Sequence, residues 1–375
     1  MMKKIMIIAG ETSGDQHASE VVKKLNGRHS GVKFCGIGGQ AMRDAGVDTF
    51  VDIREMAVMG IFEVLTHLPV ILNAYQKVKT IFKTQKIDLL ILVDYAGFNL
   101  KVAKLAKAHK IPVLFYISPK IWAWKAGRIK KIQRYVDHMA VILPFEVDIY
   151  RKANVPVTYV GSPTAESIHC ELGQAQAKKS LSIIGDKPVV GLLPGSRMSE
   201  ISRLIPLFLK TVPLFPEVQF VLALAPNLTL EDIKPYVAEL NAHHVLIAKS
   251  QTARVIRASD AVVCASGTAT LEVALLNTPM LVVYKMFYPT FLLARLLVKI
   301  HNVSLCNIVA GKRIVEELIQ YQATPARIAN ELRKLLYDQD YQARTLGEYR
   351  QLQDSLKTAK NAAENVAVIA EKMLD

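Results

Sequence analysis

Apolar runs of strand length alternate with helix-length segments along most of this chain. In the first half the runs are Ile5–Ala9, Val32–Gly36, Leu89–Val93, Val113–Ile117, Met139–Leu143 and Val157–Val160. Between them lie helical patterns such as Leu100–His109 and Gly127–Tyr135. The alternation lapses after Gly161-Ser162-Pro163 and resumes with Val189–Leu193, Gln219–Leu224, His244–Ala248, Ala261–Cys264 and Met280–Tyr284. Continuous apolar strands joined by helices predict parallel sheets covered on both faces. Two such series predict an α/β protein of two Rossmann-like, doubly wound domains, with a boundary near 161–185. From Thr324 onward the strands cease, and charged amphipathic helices run to Asp375.

Three strand-to-helix turns carry the chemistry. The first is Gly10-Glu11-Thr12-Ser13-Gly14-Asp15, the second Leu193-Pro194-Gly195-Ser196-Arg197, the third Ala265-Ser266-Gly267-Thr268. Glycine and hydroxyl residues at a helix N-terminus let backbone N–H groups reach an anion, and the helix dipole favours phosphate there. Arg197 adds a fixed cation with the fork geometry a diphosphate takes. All three turns follow the carboxyl ends of strands, where doubly wound sheets bind ligands. An acidic turn in one half and a cationic one in the other predict two half-sites facing a cleft.

Composition narrows the partners. The 375 residues suffice for two domains, and 51% hydrophobic content excludes a disordered chain. A net charge of +14 fits nucleic acid, an anionic membrane surface or a phosphorylated substrate. Cys35, Cys170, Cys264 and Cys306 show no paired spacing, which predicts a reduced, cytosolic chain. The opening Met1-Met2-Lys3-Lys4-Ile5 reads as a first strand, since its apolar run ends at Ala9, too short for a secretory segment.

Other motifs exclude more than they assign. Gly36-Ile37-Gly38-Gly39-Gln40-Ala41 matches a dinucleotide fingerprint but follows the second strand, with no strand-ending acid at the expected distance. There is no phosphate-binding G-x-x-x-x-G-K-[ST] loop and no G-x-S-x-G elbow, and the histidines lack metal-ligand spacing. Asp94 ends the very apolar run Leu89–Val93. It reads either as a turn aspartate or as a cleft carboxylate able to take a proton from a sugar hydroxyl. Glu272 reads either as dipole compensation or as a ribose ligand. Between Lys101 and Arg134 there are ten Lys/Arg and no acid, with Trp122 and Trp124 inside. That stretch fits a solvated face, nucleic acid or an anionic bilayer. The segments Ala57–Leu72 and Phe287–Ile300 are apolar but too short to span a membrane.

Taken in order, the three turns, Ala57-Val58-Met59-Gly60, Ser118-Pro119 with Trp122-Ala123-Trp124, Leu143-Pro144-Phe145-Glu146, Leu271-Glu272, Val303-Ser304-Leu305 and Asn307 resemble the bacterial lipid-A-disaccharide synthase family. The resemblance implies a GT-B glycosyltransferase that joins UDP-2,3-diacylglucosamine to 2,3-diacylglucosamine 1-phosphate (lipid X), without metal or other cofactor. It implies work at the cytosolic face of the inner membrane of Gram-negative bacteria, as a peripheral protein that can be a homodimer and binds no nucleic acid. Carried over, Asp94 is the general base. Ser196, Arg197, Ser266, Gly267, Thr268, Glu272, Asn307 and Gln320 hold the UDP-sugar, and Glu11, Ser13 and Asp15 line the acceptor side. Val58, Met59, Ile61, Phe62, Leu65, Trp122 and Trp124 meet acyl chains or membrane.

The implied division is 1–165 for the acceptor and membrane domain and 166–340 for the UDP-sugar domain. The helices of 341–375 return to the first domain or exchange with a partner. The chain departs from the family pattern at Cys306, where a proline is expected, at Gly161-Ser162 in place of Gly-His, and at Lys120. A UDP-sugar 2-epimerase on the same fold and a non-catalytic RNA- or membrane-binding protein are the competing readings.

Overall fold

A computed structural model describes residues 2–28, 31–56, 68–123, 127–297 and 302–375. The chain divides into one unit of Met1–Pro163 with Thr358–Asp375 and a second of Thr164–Lys357.

In the first unit seven parallel strands are β1 (Lys3–Ala9), β2 (Val32–Gly38), β3 (Val47–Asp52), β4 (Leu89–Val93), β5 (Val113–Tyr116), β6 (His138–Val141) and β7 (Val157–Tyr159). They lie in the order β3-β2-β1-β4-β5-β6-β7. Every residue of β4 and β5 is buried, as unbroken apolar strands covered on both faces require. The second unit repeats the plan with β8 (Val189–Leu193), β9 (Gln219–Leu224), β10 (Leu246–Lys249), β11 (Ala261–Ala265), β12 (Met280–Tyr284) and β13 (Glu317–Ile319), ordered β10-β9-β8-β11-β12-β13. Two of these strands are invisible to an apolar-run reading. β3 sits at a sheet edge and mixes Asp48, Thr49 and Asp52 among its apolar residues, and β13 has only three residues and carries Glu317.

The order reverses between β1 and β4 in the first sheet and between β8 and β11 in the second. Helices leave neighbouring strands in opposite directions at such a point and open a crevice at the strands' carboxyl ends. The turn at Gly10 follows β1 and Asp94 follows β4. The turn at Gly195 follows β8, and Ser266–Thr268 follow β11. All four singled-out segments therefore flank a topological switch point.

The C-terminal helices separate. The helix Pro325–Tyr337 opens with Thr324, whose side chain accepts from the Arg327 N–H, and with proline at its first position. Asp338 ends it and caps the helix Gln339–Leu356 through the Tyr341 N–H. That second helix buries Tyr349, Leu352 and Leu356 in the second unit's core, so the stretch 341–356 does not return. Only the last helix, Ala362–Leu374, joins the first unit. Asn361 caps it, its Val366, Ala367 and Ala370 enter the core around β1, and Arg28 pairs with Glu364 at 2.5 Å and Glu371 at 2.6 Å. This last helix packs against the helix Thr12–Arg28, its Ala363, Ala367 and Ala370 sharing one core cluster with Ala18, Val21 and Val22.

Candidate functional site

At the switch point of the first sheet, Asp94 and Tyr95 both take left-handed backbone conformations, φ 46° and 44°. Two consecutive non-glycine residues in that region cost roughly 1–3 kcal/mol each and persist only where neighbours enforce them. Fully buried Asn99 does so: its Nδ2 donates to the carbonyls of Val93 at 3.2 Å and Asp94 at 2.7 Å. The Asp94 N–H donates to the Tyr116 carbonyl at 2.9 Å. The Tyr95 ring lies over Gly10, where an added Cβ would stand 2.2 Å from it, so only glycine lets the β1 and β4 turns close together.

Burial raises the Asp94 carboxyl above the usual carboxylate range, and the charge of Glu11 raises it further; the Tyr95 amide and Lys120 oppose. Glu11 and Ser13 are exposed at the same turn. Asp15 is not: only 4% exposed, its carboxylate accepts the N–H groups of Gly39 (2.6 Å), Ala41 (3.0 Å) and Met42 (3.2 Å). Asp15, expected on the acceptor side, thus uses three of its roughly four acceptor positions to cap the next helix. The same bonds close the dinucleotide-like glycine turn, since a protein carboxylate holds the amides a pyrophosphate would need. Asp15→Ala would orphan three backbone donors, two of them buried, and is expected to destabilise the fold by about 3 kcal/mol. Urea unfolding measures this, and an unchanged midpoint would refute the capping role.

A second buried carboxylate stands beneath the loop that carries Lys120. Glu146 accepts from the Trp122 indole at 3.2 Å and from the Leu143 N–H at 3.3 Å, and Trp122 packs edge-on against Phe145. Ser118 and Tyr150 hydrogen-bond at 2.8 Å beside it. Trp122, expected at a lipid surface, is half-buried and tied to Glu146. Burial pushes the Glu146 carboxyl up from 4.5 to about 7. The folded protein therefore keeps a proton that the unfolded chain releases. This contribution is complete below about pH 4.5 and lost as pH rises through about 7, a fall of about 3 kcal/mol. Glu146→Gln should flatten that part of the stability profile in urea titrations across the window; parallel profiles would refute the assignment.

In the second unit the turn after β8 presents Arg197 with its side chain 76% exposed. The turn after β11 exposes Gly267 and Thr268 at the start of the helix Thr268–Leu275. The Ser266 hydroxyl donates to the Val303 carbonyl at 2.7 Å. Glu272 is half-buried on that helix, its carboxyl raised by burial. Asn307 and Gln320, expected near the donor, both bond to the protein itself. Asn307 is wholly buried, its amide bonded to the Val315 carbonyl and Glu317 and accepting the N–H groups of Ile314 and Val315. Gln320 clamps the backbone of Met286 through both ends of its amide, at 2.7 and 3.1 Å. Asn307 thus spends all four of its amide positions on the protein, whereas Gln320 keeps one donor and one lone pair beyond its bonds to Met286.

Val58, Met59, Ile61, Phe62, Leu65 and Trp124 lie outside the described residues. Sequence reading missed Asn99, Glu146 and Glu317. Glu146 stands in a quoted block, but nothing in its spacing announces that it is buried.

Two parallel-sheet Rossmann-like units with polar turns at both switch points define the class: the GT-B fold of nucleotide-sugar enzymes. Solved structures agree. UDP-GlcNAc 2-epimerase from Neisseria meningitidis is similar with TM-score 0.58 and 15% identity over 99% of both chains. A ugt transferase from Siraitia grosvenorii is similar with TM-score 0.61 and 12% identity over 99% of this chain and 100% of that one. A family model described as lipid-A-disaccharide synthetase matches residues 5–370. Curated relatives named lipid-A-disaccharide synthase include those of Trichlorobacter lovleyi, 47% identical over 90% of this chain and 89% of the relative, and Geobacter metallireducens, 43% identical over 99% and 97%. The relative of Coxiella burnetii is 40% identical over 99% of both. The chain belongs to the lipid-A-disaccharide synthase family of glycosyltransferases.

Proposed function

We propose that this enzyme joins UDP-2,3-diacylglucosamine to lipid X with inversion in one displacement. Asp94 takes the proton of the acceptor's 6-hydroxyl as that oxygen attacks the sugar's anomeric carbon and UDP leaves. The observation that carries this reading is Asp94 itself: a desolvated carboxylate, held in a strained backbone at a switch point, with a raised proton affinity. A base so tuned is a better proton acceptor than an exposed aspartate. Arg197, with Gly267 and Thr268, stabilises the charge that builds on the departing diphosphate, and Glu272 holds the ribose.

The lipid character of the substrates fits the surface. Phe287, Tyr288 and Leu292 are 61%, 61% and 45% exposed close after β12, and Tyr321 is 75% exposed. In the first unit Lys101, Lys104, Lys110, Lys130 and Lys131 are exposed. Of the row including Lys107, only Lys107 has an acidic partner among the described residues, Asp137 at 2.6 Å. Such a face suits phosphorylated lipids at an anionic surface. No helix among the described residues is long and apolar enough to cross a membrane. On the substrates proposed, we place the protein peripherally, on the cytosolic face of the inner membrane.

UDP release with both lipids in detergent micelles, followed by mass analysis, tests the reading. UDP formed only when both are present, with a tetra-acyl disaccharide phosphate, is the expected result. UDP released without lipid X would replace transfer by hydrolysis or epimerisation.

A further inference from the structure

The turn after β8 does not do what its sequence promises. Its glycine, serine and arginine look like an open cradle for a diphosphate, yet two of its backbone donors are already taken. Glu200, three residues into the helix Met198–Thr211 and only 7% exposed, accepts the N–H of Ser196 at 3.1 Å and of Arg197 at 3.3 Å with one oxygen. Its other oxygen accepts from Arg197 Nη1 at 3.1 Å. The arrangement is built in. Gly195 has φ +100°, and a Cβ there would stand 2.2 Å from the Glu200 carboxylate, so the turn closes around that group. From outside, Asn227 donates to the Ser196 carbonyl at 2.9 Å and fixes the same peptide.

A helix cap needs only the two backbone bonds. The third bond goes beyond capping, because it anchors a side chain that otherwise projects into solvent. An exposed arginine loses much rotamer freedom on gripping a ligand, and a fixed guanidinium has met that cost in advance. One bond at Nη1 leaves the Nη2 and Nε donors uncommitted among the described residues.

We propose that Glu200 is a positioning residue for the donor site. It turns the Ser196 and Arg197 amides inward and holds one arm of the Arg197 guanidinium. The diphosphate is then gripped by the free arm of Arg197 and by the turn at Gly267 and Thr268, not by the amides of Ser196 and Arg197. This rests on the donor reading of that turn.

A double-mutant cycle on UDP binding, by calorimetry with the full chain, tests it. Glu200→Gln keeps an oxygen to accept the two amides but presents no charge to Arg197. It is expected to weaken UDP binding about tenfold with Arg197 present and less than about twofold in an Arg197→Ala background. Equal losses in both backgrounds would show that Glu200 acts on the turn and not through Arg197. Unchanged or tighter binding would make it a bystander or a competitor of the diphosphate. Either outcome overturns the proposal while the donor reading stands. UDP affinity unmoved by Arg197→Ala alone would overturn both. Thermal melts accompany each variant. Should the glutamine variant not fold, Glu200→Asp keeps charge and cap but withdraws the carboxylate by one methylene, and must show the same dependence on Arg197.

Discussion

Replacing Asp94 by asparagine is expected to lower turnover by about 1,000-fold while leaving UDP affinity within about twofold. Asparagine is the informative choice. It is among the few side chains that tolerate the left-handed backbone held at this position, so the loss reports chemistry and not a rearranged turn. The pH dependence carries a second signature. The reactive form is the carboxylate, so the rate falls as pH drops through the Asp94 pKa. Burial and Glu11 raise that pKa, which places the acidic limb above the ordinary aspartate range. The asparagine variant should lose the limb. A residual activity with the wild-type pH profile would move the base elsewhere and leave Asp94 as an orienting group. Glu11→Gln should shift the limb toward lower pH, since it removes the second of the two causes.

Replacing Arg197 by alanine is expected to lower kcat/KM by about 100- to 1,000-fold, the usual consequence of deleting a donor that faces developing charge. Because the side chain is 76% exposed, its pair with Glu200 contributes little to folding, and stability should change by less than about 1 kcal/mol. Lysine should recover only part of the activity, for it restores the charge without the fork. Steady-state kinetics with both lipids, read beside a thermal melt, separates the two effects. Full activity in the alanine variant would assign the diphosphate to the turn at Gly267 alone.

The fold was readable because its strands are buried on both faces. Such strands must be apolar at nearly every position, so β1, β4, β8 and β11 appear as unbroken runs and their order of appearance implies parallel pairing. Where that demand relaxes, at the edge strand β3 and the three-residue β13, the pattern vanishes. The return of the final helix was legible only through the family resemblance. Whether Gln339–Leu356 or Ala362–Leu374 made the return depends on which apolar face fits which core, and both helices are amphipathic.

The candidate site divides along the same line. Asp94, Arg197, Gly267 and Thr268 could be singled out because a polar residue directly after an apolar strand must stand at the sheet's carboxyl edge. Asp15, Asn307, Gln320 and Glu200 could not be sorted in this way. Each is a polar residue beside a glycine turn or loop, and a carboxylate or amide that binds ligand is spelled like one that satisfies the protein's own backbone. Local composition thus determined two doubly wound domains and the turns where chemistry can occur. Tertiary structure alone decided which strands are neighbours, hence that all these turns meet at switch points, and which polar groups are left over. That second decision is a matter of hydrogen-bond accounting: the N–H groups of a tight turn or helix start need acceptors, and in this chain Asp15 and Glu200 supply them.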